Sequence, residues 1–273
     1  PETITLIGNT GNIYTQMVLY ELKRQDLMPI TIIDITGKTS GNSFFQRAMR
    51  LVQSNPYIQL SFFDPLRWKK LLRKVLFRQS KTFKLETKKY RRATDEILQN
   101  CRWKKVSTLD SKDVEDLLQK SNSQVGILAG LNQIVPANIL SQFQICLNAH
   151  PAPLPECRGG GALEQTLYKG LRPAASVHIV TPEIDSGDIV AKEQIPLQST
   201  DSFDAVRLKL DIRRSAMLAE AVAEYLDKGE LDTEPNNGPL HRWKDCTRTV
   251  QKQAEQNLKE MTNQINSINL SDN

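Results

Sequence analysis

The feature that most narrows the fold is a glycine-broken alternation at the start of the chain. Residues 3–7, Thr-Ile-Thr-Leu-Ile, form an apolar, β-branched run that stops at Gly8-Asn9-Thr10-Gly11-Asn12. Val18, Leu19 and Leu22 then follow on helical spacing, and residues 30–35 are a second β-branched run closed by Gly37. Strand, glycine turn, helix, strand is the opening of a parallel α/β sheet with right-handed crossovers. The pattern resumes at residues 125–129, followed by Gly130 and a loop to Pro136, and again at a short strand over 145–147. The expected fold class is therefore α/β: a Rossmann-like, mostly parallel sheet flanked by helices.

The second half reads less regularly. Residues 162–169 suit a short helix stopped by Gly170, and residues 176–180 and 189–195 are strand-like, joined by a polar loop that carries Asp185. Thr200 or Asp201 can cap a long helix with Phe203, Val206, Leu210, Leu218, Val222 and Leu226 on one stripe, ended by Gly229. Residues 232–239 are a turn-rich linker, and 240–273 are mostly polar with a helix expected near 250–261. This divides the chain into a main domain over 1–230, with a basic insertion at about 61–105, and a C-terminal tail over 231–273.

With 273 residues, the chain can bury a substantial core without disulfides or metals. Cys101, Cys146, Cys157 and Cys246 are scattered with no CxxC pairing, so a reduced, cytoplasmic protein without a metal site is expected. No apolar stretch approaches the roughly 18 residues of a spanning helix, and no secretory leader opens the sequence. The net charge of +5 is a local property. Twelve Lys and Arg fall between residues 67 and 92 against Glu86 alone, and the remainder is mildly acidic. Within that segment Leu71, Leu72, Val75 and Leu76 make an apolar stripe, with Trp68 and Phe77 adding bulk, and residues 90–101 read as its continuing helix. Such a helix can lie on an anionic membrane or RNA, cover a substrate site, or simply pack its leucines on the main domain.

Two short strings carry chemistry. The first is Asn-Ala-His-Pro-Ala-Pro-Leu-Pro at 148–155, running into Arg158-Gly159-Gly160-Gly161. The second is Val-His-Ile-Val-Thr-Pro-Glu-Ile-Asp-Ser-Gly at 177–187. They supply a carbonyl-polarising amide, an imidazole and a carboxylate, with Pro and Gly fixing the backbone around them. The first string follows a strand, at the edge where open α/β sheets bind ligands.

These strings together resemble the folate-dependent formyltransferases, which include glycinamide ribonucleotide, methionyl-tRNA and amino-sugar N-formyltransferases. The resemblance spans about residues 3–60 and 106–230. It implies an enzyme that moves a formyl group from 10-formyltetrahydrofolate to a primary amine, with Asn148, His150 and Asp185 as catalytic residues. Asn148 would donate to the formyl oxygen, and His150, as a protonated donor, would add a second hydrogen bond. Asp185 would orient the imidazole and help remove the amine proton; as a plain residue it can also be read as a turn cap. The resemblance further implies a folate pocket at Leu128, Gly130, Gln133 and Val135, with a second wall at Val180, Thr181 and Glu183. His178 is read either as a support for the site or as a core histidine.

The acceptor is expected to be a small-molecule amine. Gly11 and Asn12 lie where relatives acting on ribonucleotides bind phosphate, although any strand-to-helix turn looks alike. Arg158 can hold substrate or pair with an acid. Arg214 aligns with a glutamate that contacts ribose in the glycinamide ribonucleotide enzymes, a charge reversal. The 44 residues after Gly229 are too few for the C-terminal barrel of a methionyl-tRNA enzyme. A nucleotide-linked amino sugar is therefore the favoured acceptor, with the other two as alternatives. A nucleic-acid- or membrane-binding protein using residues 67–92 is the reading from a different class, and a homodimer is a further expectation.

Overall fold

In the computed structural model, which describes residues 4–28, 30–35, 81–131 and 133–271, the first apolar run is strand β1 (Ile4–Gly8), buried at every position. It lies between β2 (Ile30–Ile35) and β4 (Val125–Ala129), parallel to both. The other strands of this sheet are β3 (Arg102–Val106), β5 (Ile145–His150), β7 (Ala174–Ile179) and β8 (Ile189–Gln194). Their order is β3-β2-β1-β4-β5-β7-β8, parallel as far as β5 and antiparallel at β7 and β8. A two-residue pair, β6 (Arg158–Gly159) with β9 (Leu240–His241), stands apart. Helices α1 (Ile13–Arg24), α2 (Lys81–Asn100), α3 (Lys112–Ser121), α4 (Ala137–Leu140), α5 (Ala162–Tyr168), α6 (Phe203–Lys228) and α7 (Arg248–Ser271) surround them.

The alternation of side chains along each strand divides the core in two. Ile4, Leu6, Ile30 and Ile32 face α1 and α6, meeting Val18, Leu22, Val206, Leu210 and Leu218. Ile7, Ile33 and Ile35 face the other way, onto Val114, Leu117 and Leu118 of α3. A strand buried on both faces must be largely apolar, which is why β1 and β2 read as β-branched runs, and their buried Thr5 and Asp34 are hydrogen-bonded. Among the described residues, no helix is long and apolar enough to cross a membrane.

Four expectations change. Residues 81–106, read as half of an insertion, belong to the sheet: α2 packs on α1, and β3 pairs with β2 as the edge strand. Phe83, Thr87, Tyr90, Thr94 and Ile97 form the buried stripe of α2. Its two threonines satisfy their hydroxyls on the carbonyls four residues back (Thr87 Oγ1 to Phe83 O, 2.7 Å; Thr94 Oγ1 to Tyr90 O, 2.9 Å). The basic helix expected at 67–78 lies outside the described residues. Second, the polar C-terminal stretch is not a loose tail. Its helix runs the full length of α7, which packs on α5 through buried Ala254 and Leu258, and Asn257 Nδ2 donates to Leu167 O at 2.7 Å. Third, Ser202 caps α6, accepting from Ala205 N at 3.2 Å, while Asp201 accepts from Gln198 N and Lys209 Nζ. Fourth, β5 extends through His150, because antiparallel β7 pairs with its last four residues.

The strand order reverses direction between β1 and β4. Loops after those strands part at such a switch point, leaving a crevice. The site lies there.

Candidate active site

A cavity of about 1130 Å³ opens at the C-terminal ends of β1, β4 and β5. Because residues two apart on a strand share a face, β5 presents both Asn148 and His150 to it. The antiparallel register sets His178 of β7 directly opposite Asn148. Asn148 Nδ2 lies 3.2 Å from His178 Nε2, and His178 Nδ1 lies 2.9 Å from the carbonyl of Ile179. A carbonyl only accepts, so Nδ1 of His178 carries the proton and Nε2 accepts one N–H of Asn148. The second N–H of that amide remains for a ligand.

Asp185 completes the group from the loop between β7 and β8. Its Oδ2 accepts the N–H of Gly159 at 3.2 Å and lies 3.3 Å from His150 Nδ1; its Oδ1 lies 3.5 Å from His178 Nε2. Burial acts to raise the pKa of this carboxyl. The two imidazoles beside it and the Gly159 N–H outweigh it and hold the value at about 2. For His150 the balance runs the other way: burial lowers its pKa, and the facing carboxylate offsets only part of that. The resting ring is thus favoured as neutral. Nε2 lies 2.9 Å from Cys157 O. Both ring nitrogens therefore face oxygen acceptors, so a proton gained during reaction has a partner waiting.

Two glycines allow this packing. At Gly187 an added Cβ would sit 1.9 Å from the carbonyl oxygen of Ile179, so the loop can close against β7 only without a side chain. Gly159 has φ +90°, and a Cβ there would lie 2.3 Å from His241 O across the β6–β9 pair. Ser176, opposite His150, donates to Ala152 O (2.9 Å) and accepts from Leu154 N (3.0 Å), fixing the proline-rich strand exit.

Leu128, Gly130, Gln133, Val135, Val180, Thr181 and Glu183, the expected folate-pocket residues, all line the same cavity as Asn148, His150 and Asp185. Asn12 and Arg214 line it as well, whereas Gly11 and Arg158 are not among its lining residues. The glycine turn also differs from a phosphate cradle. Thr10 N–H donates to Asp34 Oδ1 (3.0 Å), Gly11 N–H to Asn9 Oδ1 (2.9 Å), Asn12 N–H to Asn9 O (2.8 Å) and Tyr14 N–H to Asn12 Oδ1 (3.0 Å). The chain's own carboxylate and amides use these donors. Arg158 lies 3.8 Å from Glu183, the acid-pairing alternative.

Arg214 is braced internally. Its guanidinium lies 3.4 Å from the centre of the Tyr14 ring, bonds Asp211 through Nε at 3.0 Å, and donates to Ala149 O, between Asn148 and His150 of β5, at 2.8 Å. Burial pushes the Tyr14 hydroxyl up to about 12, against the nearby Arg214 charge. The motif strings gave no sign of the mouth of the cavity, which is lined by Leu240, His241, Arg242 and Trp243 from the C-terminal stretch. Arg207, which lines it too, is ion-paired with Glu164.

Comparison with known proteins agrees with this layout. The formyl transferase family model matches residues 68–222, more than half of the chain. A methionyl-tRNA formyltransferase of Bacillus pumilus is 24% identical over 147 residues, 52% of this chain and 46% of that protein. The chain thus spans about half the length of the curated relatives it matches. In fold, a 4-N formyltransferase from Francisella tularensis gives a TM-score of 0.55 at 14% identity, covering 94% of this chain and 87% of the other. Glycinamide ribonucleotide transformylase 1 from Symbiobacterium toebii gives 0.52 at 19% identity, covering 85% and 90%.

Proposed function

Because the chain belongs to the formyl transferase family, whose formyl donor is 10-formyltetrahydrofolate, we propose that it transfers the formyl group to the primary amine of a nucleotide-linked amino sugar. The observation that carries the reaction is the meeting of Asn148, His150, His178 and Asp185 at the base of one cavity. The donor's residues fit as well. Leu128, Leu131 and Val180 are partly buried against the core and line the cavity, as an apolar slot for a flat reduced pterin requires. Main-chain groups of 128–135 and 180–185 would bind its polar edge.

When bound, the donor supplies a formyl carbon carried on nitrogen. The free N–H of Asn148 would meet the negative charge that grows on the formyl oxygen as the amine attacks, an interaction whose loss costs about 2.7–4 kcal/mol. The new carbon–nitrogen bond forms as the one to the donor breaks, so the amine must shed a proton. That proton would be taken up by the Asp185–His150 pair, where the imidazolium is held between Asp185 Oδ2 and Cys157 O, and would be returned to the donor's nitrogen as its bond to the formyl carbon breaks. Asp185, ionised because its pKa is held at about 2, stabilises that charge.

The cavity mouth supports the choice of acceptor. Trp243 is 72% exposed there, an aromatic face on which a nucleobase can stack. Arg242 beside it lines the cavity too and would meet a diphosphate. The test is tetrahydrofolate release from 10-formyltetrahydrofolate with a panel of nucleotide-linked amino sugars, glycinamide ribonucleotide and methionyl-tRNA. Turnover with an amino sugar, lost in Asn148→Ala, supports the proposal. Turnover confined to either other acceptor overturns the acceptor assignment, and folate turnover with none overturns the reaction.

A further inference from the structure

Asp185 stands in an unusual backbone state, with φ +45°. Only glycine, and less often Asn or Asp, takes up left-handed conformations readily, and such a residue persists when its surroundings hold it there. The direction of its carboxylate, and so its distance from both imidazoles, follows from that backbone.

We infer that Asn236 is the positioning residue that holds Asp185 in this state, an inference that rests on the role given to Asp185 above. Asn236 lies beyond residue 222, where the family match ends. Its Nδ2 donates to Asp185 O at 2.8 Å and to Gly187 O at 3.0 Å, the two carbonyls on either side of Ser186. The residue is 4% exposed. Its Oδ1 has no hydrogen-bond partner among the described residues, where the amide is oriented by its two donor contacts. Turning it over would set an oxygen against two carbonyl oxygens.

The segment around Asn236 is itself pinned on both sides. Glu234 and Ile189 exchange a pair of backbone hydrogen bonds at 2.8 Å. Gly238 is pressed so closely on Pro155 that a Cβ would fall 1.6 Å from its carbonyl oxygen. The amide therefore cannot drift with the loop it clamps. A stretch outside the matched domain fixes the geometry of the catalytic carboxylate inside it.

The test uses Asn236→Asp, which keeps the shape and turns the donor into an acceptor, and Asn236→Ala, which removes the amide without adding charge. Both are compared with Asp185→Asn and with the double variant Asn236→Ala, Asp185→Asn. With only three histidines in the chain, ¹⁵N spectra of the imidazole rings can be assigned one by one. The expected result is a fall in kcat on the order of 10–100-fold, with the KM for donor and acceptor within about twofold. The His150 and His178 signals should move toward those of Asp185→Asn while His241 stays, and the double variant should be no slower than Asp185→Asn alone. Additive losses, or unmoved His150 and His178 signals in Asn236→Ala, would overturn the inference. Full turnover in Asp185→Asn would instead sink the catalytic role of Asp185, leaving the ring signals to decide whether Asn236 positions it.

Discussion

The groups proposed to carry the reaction come from two kinds of structure. Asn148, His150 and His178 stand on paired strands, where register alone sets their spacing. Asp185 stands on a loop, in a left-handed conformation, against a glycine that admits no side chain. The strand-borne half needs no special support because neighbouring strands over-determine it. The loop-borne half depends on contacts from Gly159, Gly187 and Asn236. A substitution among the strand residues should remove chemistry and leave geometry, whereas one under the loop should remove both.

The largest effect expected is on chemistry. Asn148→Ala deletes the donor to the formyl oxygen, and kcat should fall by about 10²–10³ while the thermal midpoint hardly moves. A large drop in the midpoint would break the comparison, because it would make Asn148 structural. Gly187→Ala tests the loop half. Its new Cβ would meet a backbone oxygen at 1.9 Å, so the loop must shift. A loss of about 2–4 kcal/mol in unfolding free energy is expected together with most of the activity. Activity kept at reduced stability would mean that Asp185 is not set by this loop.

How much of this could be read from the chain follows the same division. The buried central strands were legible because two-sided burial forces continuous apolar runs, and the strings at 148–155 and 177–187 are local. Strand β3 was not: Arg102, Trp103, Lys104 and Lys105 are exposed at the sheet edge, where charge blocks unwanted pairing and hides the strand. Helix α2 was legible in its second half, read as a helix over 90–101, while the two threonines on its buried stripe weaken the apolar pattern. Asn236 and Trp243 had no local signal, since their importance comes from residues 51 positions away and from the cavity rim. The burial that lowers the pKa of His150 is a tertiary property with no local signal.

Acid offers a gentler probe of the loop half. The pKa of Asp185 is lowered to about 2, so its stabilising contribution is present above the unfolded value near 3.9 and is lost as pH falls through 2. For this largely buried carboxyl that is about 2 kcal/mol. His150 acts in the same sense: its pKa is also lowered, so stability begins to fall as pH drops below about 6.5. Urea midpoints measured from pH 7 to 2 should decline in two stages, and Asp185→Asn should flatten the lower one. A lower stage unchanged in that variant would assign it to other carboxyls.

The smallest expected effect sharpens the comparison from the strand side. Arg214 is the one brace found on β5 between Asn148 and His150 among the described residues, joining Ala149 O, Asp211 and the face of Tyr14. Lysine keeps the charge but lacks the planar fork and cannot serve all three partners. If strand pairing places Asn148 and His150, Arg214→Lys should lower stability by about 1 kcal/mol and kcat by only a few-fold. That is well short of the loss from Asn236→Ala, although both substitutions remove a hydrogen bond to the backbone of a catalytic segment. Equal losses would mean that β5 is held as conditionally as the loop, and that the distinction between register and clamp does not govern this site.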